Sequence, residues 1–282
     1  MKILPLQARF HSIAGFVIMP SVAVSGCNVQ NIQETAPSTI QRRVFAIYKW
    51  GVVGPTVALS TALIGSLIVV LSFAGFPNFA SRTFGPIWAK LNMLVSMVSI
   101  DVEDADKVDR KKSYVVVANH QSMIDIYVIY GYLGLDFKWV MKKELRAVPF
   151  LGIACEAMGH ILIDRSNTGA ALESINEARS KIQDGVSIVF FAEGTRSRTG
   201  ELKNFKKGAF RLAQELGLPI LPVTIYDTRF VLPSDTLDLR PGHVRLRFND
   251  PIPTIDLKPE DVPALANKTR EVIRQALGGD ES

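Results

Sequence analysis

The chain has 282 residues, a net charge of +5 and a hydrophobic share of 48%, with mean hydropathy +0.18 and a pI near 9.2. That length holds one sizeable domain plus an accessory segment, and the positive charge suits lipid surfaces, phosphates or nucleic acid. The two cysteines, Cys27 and Cys155, are far apart and lack metal-ligand spacing, which argues against a disulfide framework and for a reducing compartment.

Residues 1–41 read as an extension, disordered or signal-like. Lys2 and Arg9 precede an apolar patch ending Val24-Ser-Gly-Cys27, which resembles the lipobox of a bacterial lipoprotein signal. Pro20 interrupts that patch and a stronger hydrophobic segment lies downstream, so an extension is preferred over an export signal. Between residues 50 and 81 no charged side chain occurs. Residues 57–76 supply the ~20 apolar positions that a bilayer crossing requires. Next, Phe84, Ile87, Trp88, Leu91, Val95 and Val98 recur at helical spacing, with Lys90 and Asn92 off the stripe. Such a helix either faces a core or lies at a membrane interface, where Trp is favoured. Arg42, Arg43 and Lys49 flank the apolar run on one side, Arg82 and Lys90 on the other, so positive charge favours neither orientation. A re-entrant hairpin with both ends on the cytoplasmic face resolves that conflict. Residues 42–100 are thus expected to form a membrane-associated helical segment.

Beyond it, the pattern predicts strands at 114–118, 138–141, 161–163, 187–191, 220–225 and 243–248. Helical periodicity falls at 124–132, 170–183, 206–216 and 263–277. This alternation predicts an α/β domain over 101–282, its sheet covered by helices.

The strand at 114–118 is too apolar to face water, and Asn119 and His120 stand where it emerges. Open α/β sheets place their ligands at the carboxyl ends of their strands. A helix starting near Gln121 returns Asp125 towards His120, where its carboxylate accepts the proton-bearing ring nitrogen. That contact selects the tautomer, leaves the other nitrogen as a base and stabilises the imidazolium. Ser122 lies between them, but no G-x-S-x-G elbow occurs, and the base is read as acting on a substrate hydroxyl. A capping aspartate beside a satisfied histidine has the same spacing. A second strand ends in Phe190-Phe-Ala-Glu-Gly-Thr-Arg-Ser197, where glycine frees backbone N–H groups for an anion and Arg196 offers a bidentate fork. Arg198, Lys203, Lys206, Lys207 and Arg211 follow against a single acid, Glu201, a pattern that a solvated basic face also produces. Glu193 either holds Arg196 in place or accepts a substrate hydroxyl.

Together these stretches resemble the glycerolipid acyltransferases, specifically the 1-acylglycerol-3-phosphate (lysophosphatidate) acyltransferases. Asn119-His-Gln-Ser-x-x-Asp125 is similar to the N-H-x-x-x-x-D motif, and Gly159-His-Ile-Leu-Ile-Asp-Arg165 to a second motif. Phe191-Ala-Glu-Gly-Thr-Arg-Ser197 resembles F-P-E-G-T-R-S, with Ala192 in place of proline, and Leu218-Pro-Ile-Leu-Pro-Val223 resembles a fourth. The resemblance implies a mixed sheet covered by helices and an N-terminal membrane-embedded helical segment. It also implies acyl transfer from an acyl-CoA or acyl-ACP to the sn-2 hydroxyl of lysophosphatidate, giving phosphatidic acid for phospholipid synthesis. His120 would be the general base and Asp125 its orienting partner. Glu193, Gly194, Thr195 and Arg196 would bind the acceptor's phosphate, assisted by Arg165. No metal and no cofactor is implied. The expected partners are lysophosphatidate, the acyl thioester, the bilayer and an acyl carrier protein, with no nucleic acid. The expected location is a bacterial-type inner membrane with the site facing the cytoplasm. Two readings stand beside this one: a sibling acyltransferase acting on glycerol-3-phosphate or a lyso-aminolipid, and a non-catalytic lipid-binding protein.

Overall fold

The computed structural model describes residues 39–164, 182 and 185–278, all but Thr39 within the compact unit Ile40–Ser282. The extension at 1–41, with Cys27, and the helix expected at 170–183 fall almost wholly outside the described residues, as does Arg165.

Seven strands form one sheet among the described residues, in the order β1-β7-β6-β2-β5-β3-β4. They are β1 (Val98–Glu103), β2 (Val115–Ala118), β3 (Asp136–Lys142), β4 (Ile161–Ile163), β5 (Val186–Phe191), β6 (Ile220–Tyr226) and β7 (Gly242–Phe248). All neighbours pair in parallel except β6 and β7, so the sheet is mixed. β2 is central and all four of its residues are buried, because strands covered on both faces read as unbroken β-branched runs. Its side chains alternate between two cores. Val116 and Ala118 pack with Ile124, Val128 and Leu221, while Val115 and Val117 pack with Ile188, Phe210 and Ile273.

In register, Ala118 stands beside Phe191 of β5 and Val223 of β6. Since β2 and β5 run in parallel, the loops that leave their carboxyl ends emerge side by side. That placement brings the two polar loops of the sequence together.

The helices are α1 (Thr39–Tyr48), α2 (Gly54–Phe73), α3 (Pro77–Val95), α4 (Ile124–Tyr132), α5 (Leu151–Ala157), α6 (Gly208–Leu216), α7 (Thr228–Val231) and α8 (Val262–Gly278). A π-turn at Lys49–Val53 joins α1 to α2 just before Pro55, which has no N–H to donate into the helical ladder. The resulting helix Arg43–Phe73 is long and apolar enough to cross a membrane, and 17% of its most apolar window is buried. It does not stand free. Lys49 donates to the Leu237 carbonyl at 3.0 Å, Ser60 to Asn92 at 3.1 Å, and Ile68 packs with Ala80, Ala154 and Met158. Leu59, Leu63, Val70 and Phe73 face outward.

Two expectations need correction. The stripe from Phe84 to Val98 does not belong to one helix: α3 stops at Val95, Met97 turns the chain at φ 56°, and Val98 opens β1. Of the two readings of that stripe, core-facing or interfacial, the core-facing one holds only in part, with Phe84 and Trp88 packed partly against the cores. α3 buries Ala80, Ser81, Gly85, Ala89, Asn92 and Met93, whereas Ile87 is 49% exposed. The reason is close packing between α2 and α4: a Cβ on Gly85 would lie 3.1 Å from the Tyr130 ring, leaving room for small side chains alone. Asn92, read as off the buried stripe, is fully buried because it accepts from Ser60 and donates to the Trp88 carbonyl at 2.8 Å. The boundary expected at 100/101 falls inside β1.

Candidate active site

His120 stands two residues past the end of β2, after Asn119, and its ring is 13% exposed. Nδ1 lies 2.8 Å from Oδ2 of Asp125, which the first turn of α4 carries. Asp125 is wholly buried and accepts three further bonds: the N–H of Gln121 at 2.7 Å, that of Ser122 at 2.9 Å and the Thr228 hydroxyl at 2.5 Å. Burying a carboxylate is costly unless its lone pairs are taken up, and here both oxygens are engaged. With Nδ1–H donated to Asp125, Nε2 is the ring's acceptor, and it has no partner among the described residues. The imidazole stacks on Phe191 with ring centroids 3.8 Å apart and planes at 7°, so packing also limits its rotation.

Ser122 is placed elsewhere. Its hydroxyl donates to the Leu232 carbonyl at 2.7 Å and accepts the Ile124 N–H at 3.1 Å. It is fully buried and makes no contact with the imidazole, so the geometry gives it the work of a turn.

The loop after β5 wraps the same histidine from its backbone side. Glu193 is buried, and its Oε1 accepts the His120 N–H at 2.8 Å while Oε2 accepts the Lys203 N–H at 3.1 Å. The Ser197 N–H in turn donates to the His120 carbonyl at 2.8 Å. Both alternatives weighed for Glu193 are therefore displaced: it neither meets Arg196 nor presents an oxygen outward. It fixes the backbone of His120. Burial raises its carboxyl above the ordinary range, partly offset by the two N–H groups. Gly194 turns the loop at φ +77°, a conformation that an L side chain resists. Thr195 is exposed, and Lys203 ties the loop by donating to its hydroxyl at 3.1 Å and to the Arg196 carbonyl at 2.7 Å. Ala192, where the family pattern has proline, is buried, and its carbonyl takes the Lys206 N–H at 2.7 Å.

Arg196 meets an acid that sequence reasoning missed. Its Nη2 lies 3.0 Å from Oδ1 of Asp235, and Nε of Arg198 lies 2.7 Å from Oδ2 of the same carboxylate. Thr228 was missed too, as was Asn119 as an anchor, whose amide exchanges two bonds of 2.8 Å with the backbone of Ile225. Thr228 and Asp235 sit 103 and 39 residues from their partners, and no local pattern marks them. The doublet of Asn and His at a strand end was the available signal for Asn119.

Among the described residues no group of three or more His, Cys, Asp or Glu side chains is placed to hold a metal ion. Cys155 is buried, and burial pushes its thiol up to about 12, which removes it from thiolate chemistry. The site can therefore offer one oriented base, Nε2 of His120, beside a loop rich in guanidinium and backbone donors.

A family model described as Acyltransferase matches residues 99–226. The chain is similar to 1-acyl-sn-glycerol-3-phosphate acyltransferase alpha of Mus musculus, 33% identical over 65% of this chain and 68% of the relative. It is also similar to the enzyme of the same name from Ovis aries, 34% identical over 61% of each chain. A 1-acyl-sn-glycerol-3-phosphate acyltransferase of Cocos nucifera is 32% identical over 64% of this chain and 58% of the relative. The match thus spans about three-fifths of those relatives' length. Among solved structures, the 1-acyl-sn-glycerophosphate (LPA) acyltransferase PlsC from Thermotoga maritima superposes with a TM-score of 0.72. It covers 86% of this chain and 97% of its own at 24% identity, a likeness of fold.

Proposed function

The chain belongs to the family of the 1-acyl-sn-glycerol-3-phosphate acyltransferases, and we propose that it transfers a fatty acyl group from an acyl thioester to the sn-2 hydroxyl of lysophosphatidate. One observation carries this reading: His120 is held at Nδ1 by a buried, fully bonded aspartate and keeps Nε2 without a partner among the described residues. Nε2 takes the proton of the acceptor hydroxyl as its oxygen attacks the thioester carbonyl. The tetrahedral intermediate collapses with loss of the thiolate, which recovers the proton from Nε2 and leaves as the free thiol. Asp125 stabilises the imidazolium between those two transfers. The engagement of Ser122 with Leu232 supports direct transfer without an acyl-enzyme. Arg196 receives the acceptor's phosphate, helped by the backbone of Gly194 and Thr195 and by Arg165. Glu193 acts by holding His120 and the loop. Coenzyme A or an acyl carrier protein delivers the acyl group, and no metal or other cofactor takes part.

In the same reading residues 42–100 seat the protein on the cytoplasmic leaflet of a bacterial-type inner membrane, and 101–282 act as the acyltransferase domain. The outward side chains Leu59, Leu63, Val70 and Phe73 are between 60% and 84% exposed, a surface that water does not favour. Because α2 is fastened to the rest of the unit at Lys49, Ser60 and Ile68, we place the helix within one leaflet, lying along the domain.

The test is an assay of the purified full chain with lysophosphatidate and either acyl carrier, following free thiol and phosphatidic acid. His120→Ala should lower turnover by ~10²–10⁴-fold, the usual worth of a positioned base, with the melting temperature retained. Near-normal turnover in that folded variant, or a trapped acyl-serine, would overturn the mechanism.

A further inference from the structure

Resting on the reading of Arg196 as the ligand of the acceptor's phosphate, we infer that Asp235 is a built-in competitor for that phosphate. The competition sets how tightly the site takes an acceptor phosphate, since Asp235 must leave the guanidiniums before the headgroup can meet them.

The carboxylate of Asp235 spans both guanidiniums of the loop, Oδ1 with Arg196 at 3.0 Å and Oδ2 with Arg198 at 2.7 Å. It occupies the cation that the acceptor must reach. The acid within the loop itself, Glu193, is spent on the N–H groups of His120 and Lys203, so the neutralising charge comes from another part of the chain. That part is a strap between α7 and β7 with its own supports. The Arg240 N–H bonds the Val231 carbonyl at 2.8 Å, the Thr236 N–H bonds the Pro233 carbonyl at 3.2 Å, and Lys49 holds the Leu237 carbonyl at 3.0 Å. A carboxylate presented from a supported strap meets its partners at high effective concentration. The pair is still displaceable, since the side chains of Asp235 and Arg196 are 45% and 29% exposed and water screens their attraction.

Two guanidiniums against one carboxylate leave one positive unit among these three groups, and the Lys203 ammonium on the Arg196 carbonyl adds to it. A phosphomonoester brings a charge of roughly −1.5 to −2 and three terminal oxygens, more than the carboxylate offers, and so displaces it. A phosphodiester brings one negative charge and two unsubstituted oxygens. Because Asp235 must open for either headgroup it weakens both by the same factor, and the difference between the two comes from their own bonds to the loop.

Asp235 has φ 62°, a left-handed conformation that Asp and Asn tolerate and most other residues resist. Asp235→Asn therefore keeps the strap and the side-chain volume while removing the charge. The experiment compares 1-acyl lysophosphatidate with 1-acyl lysophosphatidylglycerol in mixed micelles, using one acyl-CoA and the full chain. In Asp235→Asn the KM for either lysophospholipid should fall by the same factor, roughly tenfold, the weight of one charge-assisted bond, while the monoester-to-diester kcat/KM ratio and the KM for acyl-CoA should stay. A raised KM for lysophosphatidate would show that Asp235 merely orients Arg196. An unchanged KM, or a KM that falls for one headgroup alone, would likewise overturn the competition. Arg196→Lys, assayed alongside, separates this inference from its premise. If Arg196→Lys raises the lysophosphatidate KM while Asp235→Asn leaves that KM unchanged, the competition alone is lost. If Arg196→Lys leaves that KM unchanged, the phosphate assignment fails and the inference with it.

Discussion

At the residue scale the site depends on how completely one carboxylate is bonded. Thr228 donates to Asp125 Oδ1 from a position beyond β6, and both groups are fully buried. Thr228→Val keeps the shape but strands that oxygen, an effect worth about 1–3 kcal/mol. Urea unfolding should show the loss, and turnover should fall further than the KM values change, because the imidazolium loses part of its support. Asp125→Asn should be more severe: even with its amide oxygen kept on the N–H groups of Gln121 and Ser122, it carries no charge to stabilise the imidazolium. Glu193 makes the pH-dependent prediction. Burial raises its folded carboxyl pKa. A group raised in this way contributes stability that is fully present below its unfolded pKa of ~4.3 and is lost as pH rises through the folded value. The stability difference between wild type and Glu193→Gln should therefore move against wild type from about pH 4 upward, levelling once Glu193 is ionised in both states. Unfolding midpoints across that window check the sign. Glu193→Gln should also impair turnover with both substrates alike, since the residue holds the backbone of His120 and no substrate.

At the scale of elements, α5 is the support on which the apolar helix rests, and its fit is tight. A Cβ added to Gly152 would stand 2.1 Å from the Arg146 carbonyl oxygen, a backbone atom that cannot swing aside. Gly152→Ala should destabilise by about 1–3 kcal/mol through overpacking. At ~2–4 °C per kcal/mol for a chain of this size, its melting temperature should drop by several degrees. Gly208→Ala is the control, because nothing lies within 4 Å of its added methyl and it opens α6. There the change should be neutral or slightly stabilising. If Gly152→Ala melts with the control, α5 has room that the packing denies.

For the whole molecule, the question is how the proposed acyltransferase would reach an acceptor dissolved in a leaflet. α2 turns one side to α3 and α5 and the other outward, with Leu63 62% and Phe73 84% exposed. Burying a Leu or Phe side chain in an apolar phase contributes about 1.5–3 kcal/mol. The double variant Leu63→Ser with Phe73→Ser should accordingly lose roughly a hundredfold or more in vesicle partition, measured by flotation. Thiol release on micellar substrate should persist, because neither side chain touches His120 or its loop. Single cysteines replacing Arg43 and Arg82 should be labelled from the same side of the membrane. Labelling from opposite sides would make the helix a true span.

His120 and Asp125 were legible in the sequence because they are five residues apart, and a strand end followed by one helical turn brings them together by local geometry alone. The run at 115–118 was legible because a strand buried on both faces can hold nothing polar. β1 was missed although Val98, Ile100 and Val102 alternate with Ser99, Asp101 and Glu103 at the period of a half-buried strand, because a helical stripe that ends on Val98 runs straight into them. The face that α3 buries was likewise hidden: Ala80, Ser81, Gly85 and Ala89 line it beside Asn92 and Met93, a choice made by the distance to α2 and α4. Thr228 and Asp235 could be found only in three dimensions. Sequence determines which groups have chemistry to offer, whereas the parallel pairing of β2 with β5 and the return of the chain through β6 decide which of them meet. A buried carboxylate must find its donors wherever the fold supplies them.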